Sequence, residues 1–247
     1  MSAGLPTITQ VATSNGTSAA GVTIIGAAGF PTNTAIGDLV MFAVYERGGN
    51  LSTTPPRDTA DGLIFLDYGY NTTNGFGMIL AAWICTFENK ANFVGMTIPS
   101  ATTHTYCMTT FRISSGYSFV PSQGCGSSGL GAGWFNATAT AVTLSAPAIA
   151  QPYAQCFDVI ARGYGADGTG ITTDVLTGFT ESVDTGQLSP PNGIVMNYRT
   201  VTNHNINPLI SSNLSVTKID RGGVRAMIPI VAKTSFSNRY MTGRRTA

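Results

Sequence analysis

Charged residues are scarce in this chain of 247 residues. Lys, Arg, Asp and Glu together make up 10% of it, whereas about 25% is usual for soluble proteins. The formal net charge is +1 at pH 7, so the chain has no charge excess to attract nucleic acid or an anionic membrane. We therefore expect neither among its partners. The apolar fraction of 43% also argues against an intrinsically disordered chain.

Targeting segments and long apolar runs are missing as well. The chain begins Met1-Ser2-Ala3-Gly4, with neither the basic nor the apolar region of a signal peptide. Each apolar run is interrupted after about ten residues, which is too short for a membrane-spanning helix. We expect synthesis in a reducing cytoplasm, where disulfides are not the default.

Paired cysteines of the CxxC type do not occur, although the chain has four cysteines. Zinc sites usually draw on ligand pairs two to four residues apart, so no metal site is assigned. Cys85, Cys107 and Cys156 lie in strand-like runs and are predicted to be buried, reduced and free of metal. Cys125 lies between two glycines and is predicted to be the most exposed.

Catalytic motifs are equally absent. His104 and His204 are the only histidines, and neither has a second histidine or a carboxylate at ligand spacing. There is no GxSxG motif, although a triad assembled in space is left open by the sequence. We expect a non-enzymatic protein without a cofactor and assign no catalytic residue.

One glycine pattern needs an interpretation of its own. Gly163, Gly165 and Gly168 spell GxGxxG after a strand-like run, but no helical pattern follows. We interpret this stretch as a flexible loop and the nearby Asp167 and Asp174 as turn residues. A calcium site and the paired carboxylates of a glycosidase remain alternatives.

Short runs rich in Val, Ile, Thr, Phe and Tyr recur along the chain, separated by Gly, Pro and Asn-Gly signals. No stretch has a helical period with caps. The pattern predicts an all-β protein, a two-sheet jelly-roll-like sandwich with an N-terminal arm, a long central loop and a C-terminal tail. Twelve strands are predicted, at 21–25, 38–45, 62–67, 77–86, 92–98, 105–113, 141–144, 154–162, 177–183, 193–200, 213–219 and 225–232.

The predicted organisation is an arm over residues 1–20, a sandwich over 21–233 and a tail over 234–247. Residues 38–113 and 154–232 form a possible pseudo-repeat, because each begins with an apolar strand followed by a turn and a strand led by glycine. The Gly/Ser-rich loop 114–137 contains several aromatic residues, and the tail combines aromatic residues with arginines, a mixture typical of interfaces. The predicted assembly contacts are Tyr117, Phe119, Trp134, Phe135, Phe236, Arg239, Tyr240, Met241, Arg244 and Arg245.

The order of these signals resembles a β-sandwich module of tailed-bacteriophage virion proteins. Four segments carry the resemblance, which spans roughly residues 20–232: Gly37–Ala43, Thr54–Pro56, Gly62–Leu66 and Gly178–Glu181. In that family a Trp commonly follows the glycine that leads the strand, whereas Leu63 and Phe179 stand there in this chain.

The resemblance implies a structural role in a virion, made in the host cytoplasm. A capsid decoration or cement protein is the first hypothesis, with the major capsid protein and copies of itself as partners in a homo-oligomeric assembly. The alternative is a tail fibre or receptor-binding module, in which loops such as 114–137 or 163–174 contact a host surface glycan. A glycan hydrolase or an esterase is the third class.

Overall fold

The computed structural model describes residues 6–18, 21–25, 31–47, 63–71, 76–86, 96–100, 104–123, 125–126, 141–144, 155–166, 178–188, 191–202, 210–213 and 218–233. Over these ranges the chain is all-β, apart from a short 3-10 helix at Pro121–Gln123, and no helix could span a membrane. The strands are β1 (Ile8–Ser18), β2 (Gly21–Ile25), β3 (Leu39–Arg47), β4 (Ile64–Asn71), β5 (Phe76–Ile84), β6 (Met96–Ser100), β7 (His104–Ile113), β8 (Tyr117–Phe119), β9 (Cys125–Gly126), β10 (Ala141–Leu144), β11 (Gln155–Ala166), β12 (Thr180–Leu188), β13 (Pro191–Thr202), β14 (Ile210–Asn213) and β15 (Lys218–Ala232).

The long strands form two antiparallel sheets. The first sheet has the order β1-β7-β3-β5-β4, and the second has the order β12-β13-β11-β15-β8, with β9 also paired to β15. Two small ribbons, β2-β6 and β10-β14, complete the strand pairing of the described residues. The predicted all-β, two-sheet sandwich is confirmed, and its more specific jelly-roll connectivity stays a prediction.

Each sheet comes from one half of the chain, and the two strand orders correspond. Strands β7-β3-β5-β4 of the first sheet match β15-β11-β13-β12 of the second, both in chain order and in spatial order. Each half also has one small ribbon. The edge strands β4 and β12 each have a register shift after their second residue, β4 against β5 and β12 against β13. The predicted pseudo-repeat ranges 38–113 and 154–232 contain these corresponding strands.

The main core lies between the two sheets. Its side chains come from alternate positions of the central strands, as the period of a strand requires. In β3 these positions end at Tyr45, and the ring of Tyr45 lies against the backbone of Gly163 in β11, which has no side chain to obstruct it. The rings of Phe111 in β7 and Phe157 in β11 form an edge-to-face pair across this core, with ring centroids 4.7 Å apart.

The first sheet is buried on its outer face too. Val40, Phe42 and Trp83 point away from the main core into a second apolar cluster, and each is 0% exposed. Strand β3 is therefore apolar at consecutive positions from Leu39 to Tyr45. Sheets buried on both faces read as near-continuous apolar runs, which explains why alternation along this strand is weak in the sequence.

Polar contacts join the sheets at both sides of the sandwich. On one side Asp67 of β4 accepts a hydrogen bond from the backbone N–H of Arg225 in β15, at 3.1 Å. On the other side the Ser182 hydroxyl donates to Thr109 at 2.8 Å, and the Gln10 amide donates to the backbone carbonyl of Ser182 at 3.0 Å. Each of these bonds involves the strand at the edge of one sheet.

Three sequence predictions need correction. Residues 8–18, assigned to an N-terminal arm, form the edge strand β1 and pair with β7. The first part of the predicted loop 114–137 forms β8, the 3-10 helix and β9. The strand predicted at 213–219 is replaced by β14, which ends at Asn213, and by the start of β15. The predicted tail 234–247 lies outside the described residues.

The contact between Tyr45 and Gly163 gives a stability prediction. A Cβ atom at Gly163 would lie 2.7 Å from Cγ of Tyr45, and overpacking a core typically costs about 1–3 kcal/mol. Gly163→Ala should lower the free energy of unfolding, measured by denaturant titration, by about that amount. In a Tyr45→Leu background the same glycine substitution should cost much less. Equal costs in the two backgrounds would show that the ring is not the obstacle.

Candidate functional site

The predicted assembly contacts fall into two groups. Eight of them lie outside the described residues, namely Trp134, Phe135, Phe236, Arg239, Tyr240, Met241, Arg244 and Arg245. The other two, Tyr117 and Phe119, lie in β8 at the edge of the second sheet.

Phe119 belongs to the core of its own sandwich. Its side chain is 6% exposed within the main core, and its ring centroid is 5.5 Å from that of Phe157. Tyr117 is half-buried against the same core. Strand β8 pairs with the end of β15, from Phe119 opposite Ile230 to Tyr117 opposite Ala232. Both side chains thus stabilise their own sandwich, and the Gly/Ser-rich sequence around them had concealed a strand.

Some of the histidines and glycines considered as candidate catalytic features lie in the described part of the chain. His104 is completely buried in β7, whereas His204 lies outside the described residues. Gly163 and Gly165 belong to β11, so the interpretation of GxGxxG as a flexible loop is wrong for its first half. Across the described ranges, no three His, Cys, Asp or Glu side chains gather as a metal site would require.

The most concentrated charges in the described structure lie on the outer face of the second sheet. Asp158 of β11 points to this face because its neighbours Phe157 and Val159 belong to the core. Arg225 of β15 binds both carboxylate oxygens, with Nε at 2.8 Å from Oδ1 and Nη2 at 2.7 Å from Oδ2. Arg199 of β13 adds a third bond, from Nε to Oδ2 at 2.8 Å. Asp158 and Arg225 are both 0% exposed.

The cluster continues along the same face. The Arg162 guanidinium donates to Oδ1 of Asn197 at 3.0 Å, and both residues are buried. The guanidinium carbon of Arg199, whose side chain is 24% exposed, lies 4.3 Å from the ring centroid of Phe179. Cation–π stacking of this kind suits the planar guanidinium group. We refer to Asp158, Arg162, Asn197, Arg199 and Arg225 as the arginine cluster.

The arginine cluster holds three strands together but is unsuited to proton transfer. Arginine stays protonated in proteins, and the Asp158 carboxylate accepts three charge-assisted bonds from two guanidinium groups. A chemical base or acid would need a free lone pair or a labile proton in an open cleft. The cluster therefore has the chemistry of a structural element.

A second ion pair lies at the start of β3. The Asp38 carboxylate is bound by Nε and Nη2 of Arg112, at 2.9 and 2.8 Å, and by the backbone N–H of Ala35 at 2.7 Å. The carboxylate raises the pKa of Arg112 by hydrogen bonding and by charge attraction. Gly37 precedes it with a φ of 91°, a conformation that glycine adopts without strain. The Gly37-Asp38 pair is thus a turn that sets the start of a strand.

Comparisons of the chain with protein-family models, curated proteins and solved structures found no match.

The arginine cluster gives a prediction on stability. Asp158→Asn removes the charge that compensates two guanidinium groups, and breaking a buried ion pair typically costs about 3–5 kcal/mol. The free energy of unfolding, measured by denaturant titration, should fall by that amount.

Asp38→Asn is the matched control. Its partner Arg112 has a side chain that is 47% exposed, so water can solvate the guanidinium group when the carboxylate is lost. The control substitution should cost clearly less. Equal losses at the two positions would contradict the importance of burial for the arginine cluster.

The cysteines give a second prediction. Cys85, Cys107 and Cys156 are buried, as predicted from the sequence, and burial raises the pKa of the Cys107 thiol, against a smaller opposing effect of a backbone hydrogen bond with Ala43. Since only the thiolate reacts, these thiols should resist alkylation in the native protein and react in denaturant, as intact mass would show.

The same shift has a consequence at high pH. In the unfolded chain the thiol ionises near its ordinary pKa of about 8.5, whereas the buried thiol of Cys107 stays protonated to higher pH. Burial raises the pKa of Tyr198 too. The contribution of these two groups to the free energy of unfolding should therefore be constant up to the ordinary thiol pKa and should fall above it. Rapid native alkylation of Cys107, or a stability that rises in alkali, would contradict this account.

Proposed function

We propose that this chain is a non-enzymatic structural protein of a tailed-phage particle, a decoration or cement protein that binds the assembled capsid. The proposal rests on the role of the charged side chains in the described part of the chain. Asp38 and Asp158 are each held by arginines, and Asp67 joins the two sheets. Each of them fixes the scaffold, and their arrangement favours a rigid building block over a catalyst.

Two further features fit this role. The first sheet buries both of its faces, so these faces are not available for association, whereas its strand edges are. The sequence has a low charge and an excess of arginine over lysine, a bias found at interfaces. A jelly-roll-like connectivity, as the resemblance to phage virion proteins implies, belongs to the same proposal.

The mechanism of a cement protein is mass action. A subunit that binds the assembled shell, and not its dissociated parts, stabilises the shell in proportion to its binding free energy. The proposed partners are the major capsid protein and further copies of this chain. No cofactor, nucleic acid or membrane takes part, and the protein is made in the host cytoplasm before it joins the virion.

Location in purified particles tests the proposal. Antibody labelling and imaging should show many copies over the head, and shells without the protein should disassemble at lower temperature or after milder osmotic shock. Copies confined to the tail tip would favour the alternative of a receptor-binding module on a tail fibre. Turnover of a glycan or a model ester that a single side-chain substitution abolishes would contradict a structural role.

A deletion of residues 234–247 examines the predicted tail. These residues combine aromatic and arginine side chains, which suit an interface, and β15 ends before them at Ala232. The truncated protein should fold and melt like the complete chain but bind particles at least tenfold more weakly. A full-length variant with the last fourteen residues in scrambled order is the matched control for length and composition. Normal decoration by both variants would show that the tail is not an assembly arm.

A further inference from the structure

The four edges of the two sheets differ in how well they are protected. An exposed strand edge presents unpaired N–H and C=O groups to other chains, and proteins block such edges with bulges, charges, prolines or very short strands. Strand β4 is one of the two edges of the first sheet, and it has a register shift between Phe65 and Asp67. The Asp67 carboxylate points inward to the other sheet. This edge therefore has two of the protective features.

The edges of the second sheet are protected too. Strand β12 has a register shift between Glu181 and Val183, and its sequence includes a second carboxylate at Asp184. The opposite edge consists of β8 and β9, which have three and two residues and are separated by the 3-10 helix that begins at Pro121. Neither of these edges offers a long regular strand.

Strand β1, the remaining edge, lacks most of these protective features. It is 11 residues long, ITQVATSNGTS, and contains no charged residue and no proline. Its register shift lies near its start, between Gln10 and Ala12, and leaves Ala12–Ser18 in unbroken pairing with β7. Among the described strands, β7 is its only partner. The side chains of Thr13 and Asn15 in this segment are exposed.

The correspondence between the sheets sharpens this contrast. Strand β1 flanks β7 in the first sheet at the place where β8 and β9 flank β15 in the second. The same position is thus a continuous strand in one half and an interrupted one in the other. Gly16 of β1 also has the ring of Tyr106 against it, so that a Cβ atom there would lie 2.6 Å from the phenolic oxygen. This contact holds the end of β1 flat against its sheet.

We infer that β1 pairs with β1 of a second copy of this chain, antiparallel and around a twofold axis that passes through the segment Ala12–Ser18. Such an interface is isologous, because the same patch is used on both subunits. A strand that meets its own copy brings identical side chains together, which penalises any charge. A neutral segment of Thr, Ser, Asn and Gly meets that condition. The inference specifies the self-association included in the proposed function, and to that extent rests on it.

Charge substitutions on the purified complete chain test the pairing. In Thr13→Lys/Asn15→Lys two ammonium groups from each copy would face one another across the axis. The dissociation constant of the dimer, measured by sedimentation equilibrium, should rise at least tenfold. Thr13→Asp/Asn15→Asp should have the same effect alone, whereas an equimolar mixture of the two variants should recover association. Thr180→Lys, which alters an exposed threonine of the protected strand β12, is the matched control and should associate normally.

Several results would overturn the inference. These are a wild-type chain that stays monomeric at high concentration, lysine variants that associate normally, or a mixture that does not recover. If the variants fail to fold, hydrogen exchange of the wild-type protein decides, because the amides of Ala12–Ser18 should exchange more slowly as concentration rises. Amide exchange that does not depend on protein concentration would also overturn the inference. If the amides then exchange more slowly only when the protein is bound to particles, β1 pairs with a different partner. Particle location is measured separately, so the proposed function can stand when self-pairing fails.

Discussion

Burial of the first sheet on both faces is the constraint on which the rest of the structure depends. Strand β3 has no solvent-exposed side chain from Leu39 to Tyr45, so both of its faces must be covered by other parts of the protein. The second sheet covers one face, and the side chains of the other face, among them Phe42 and Trp83, form a second apolar cluster that is buried as well. The first sheet therefore differs from the usual antiparallel sheet, which has one face packed on the core and the other exposed to water.

The outer faces of the two sheets are buried with different kinds of side chain. The first has an apolar outer cluster, whereas the second places the arginine cluster on its outer face. Buried ion pairs contribute little net stability compared with apolar packing, but they penalise every arrangement that leaves a charge unpaired. Asp158 can bind Arg199 and Arg225 together only when β13 and β15 flank β11 in the observed register. The cluster therefore favours one register of three strands.

Local strand signals were readable from the sequence, and long-range placement was not. Strands β2 and β10 occur at the predicted bounds, and each contains a short run of β-branched residues. Strand β1 was missed because Thr, Ser, Asn and Gly form most of it, and its stability comes from pairing with β7. Phe119 was assigned to an interface because the glycines around it suggested a loop, although a partner strand more than a hundred residues away orders it.

The arginine cluster was missed for a related reason. Its members come from three strands, and no spacing along the chain brings Asp158 near Arg225. One signal was present, because Asp158 stands between Phe157 and Val159 in a run that is otherwise apolar. A charge at such a position must be paired if it is buried. The sequence alone could therefore indicate that a partner exists, but not which of the ten arginines it is.

Similar strand order in the two halves makes their differences informative. Corresponding core positions would normally hold similar side chains, yet Tyr45 lies against Gly163, whose position on β11 corresponds to that of Tyr45 on β3. One large and one absent side chain fill a space that two equal rings could not share. The edges differ in the same way, since β1 is continuous where β8 and β9 are interrupted. A chain with so few charges has weak electrostatic protection against association. In the self-pairing that we infer, the strand edges control association, and an asymmetric pair of halves can block one edge while leaving its counterpart able to pair.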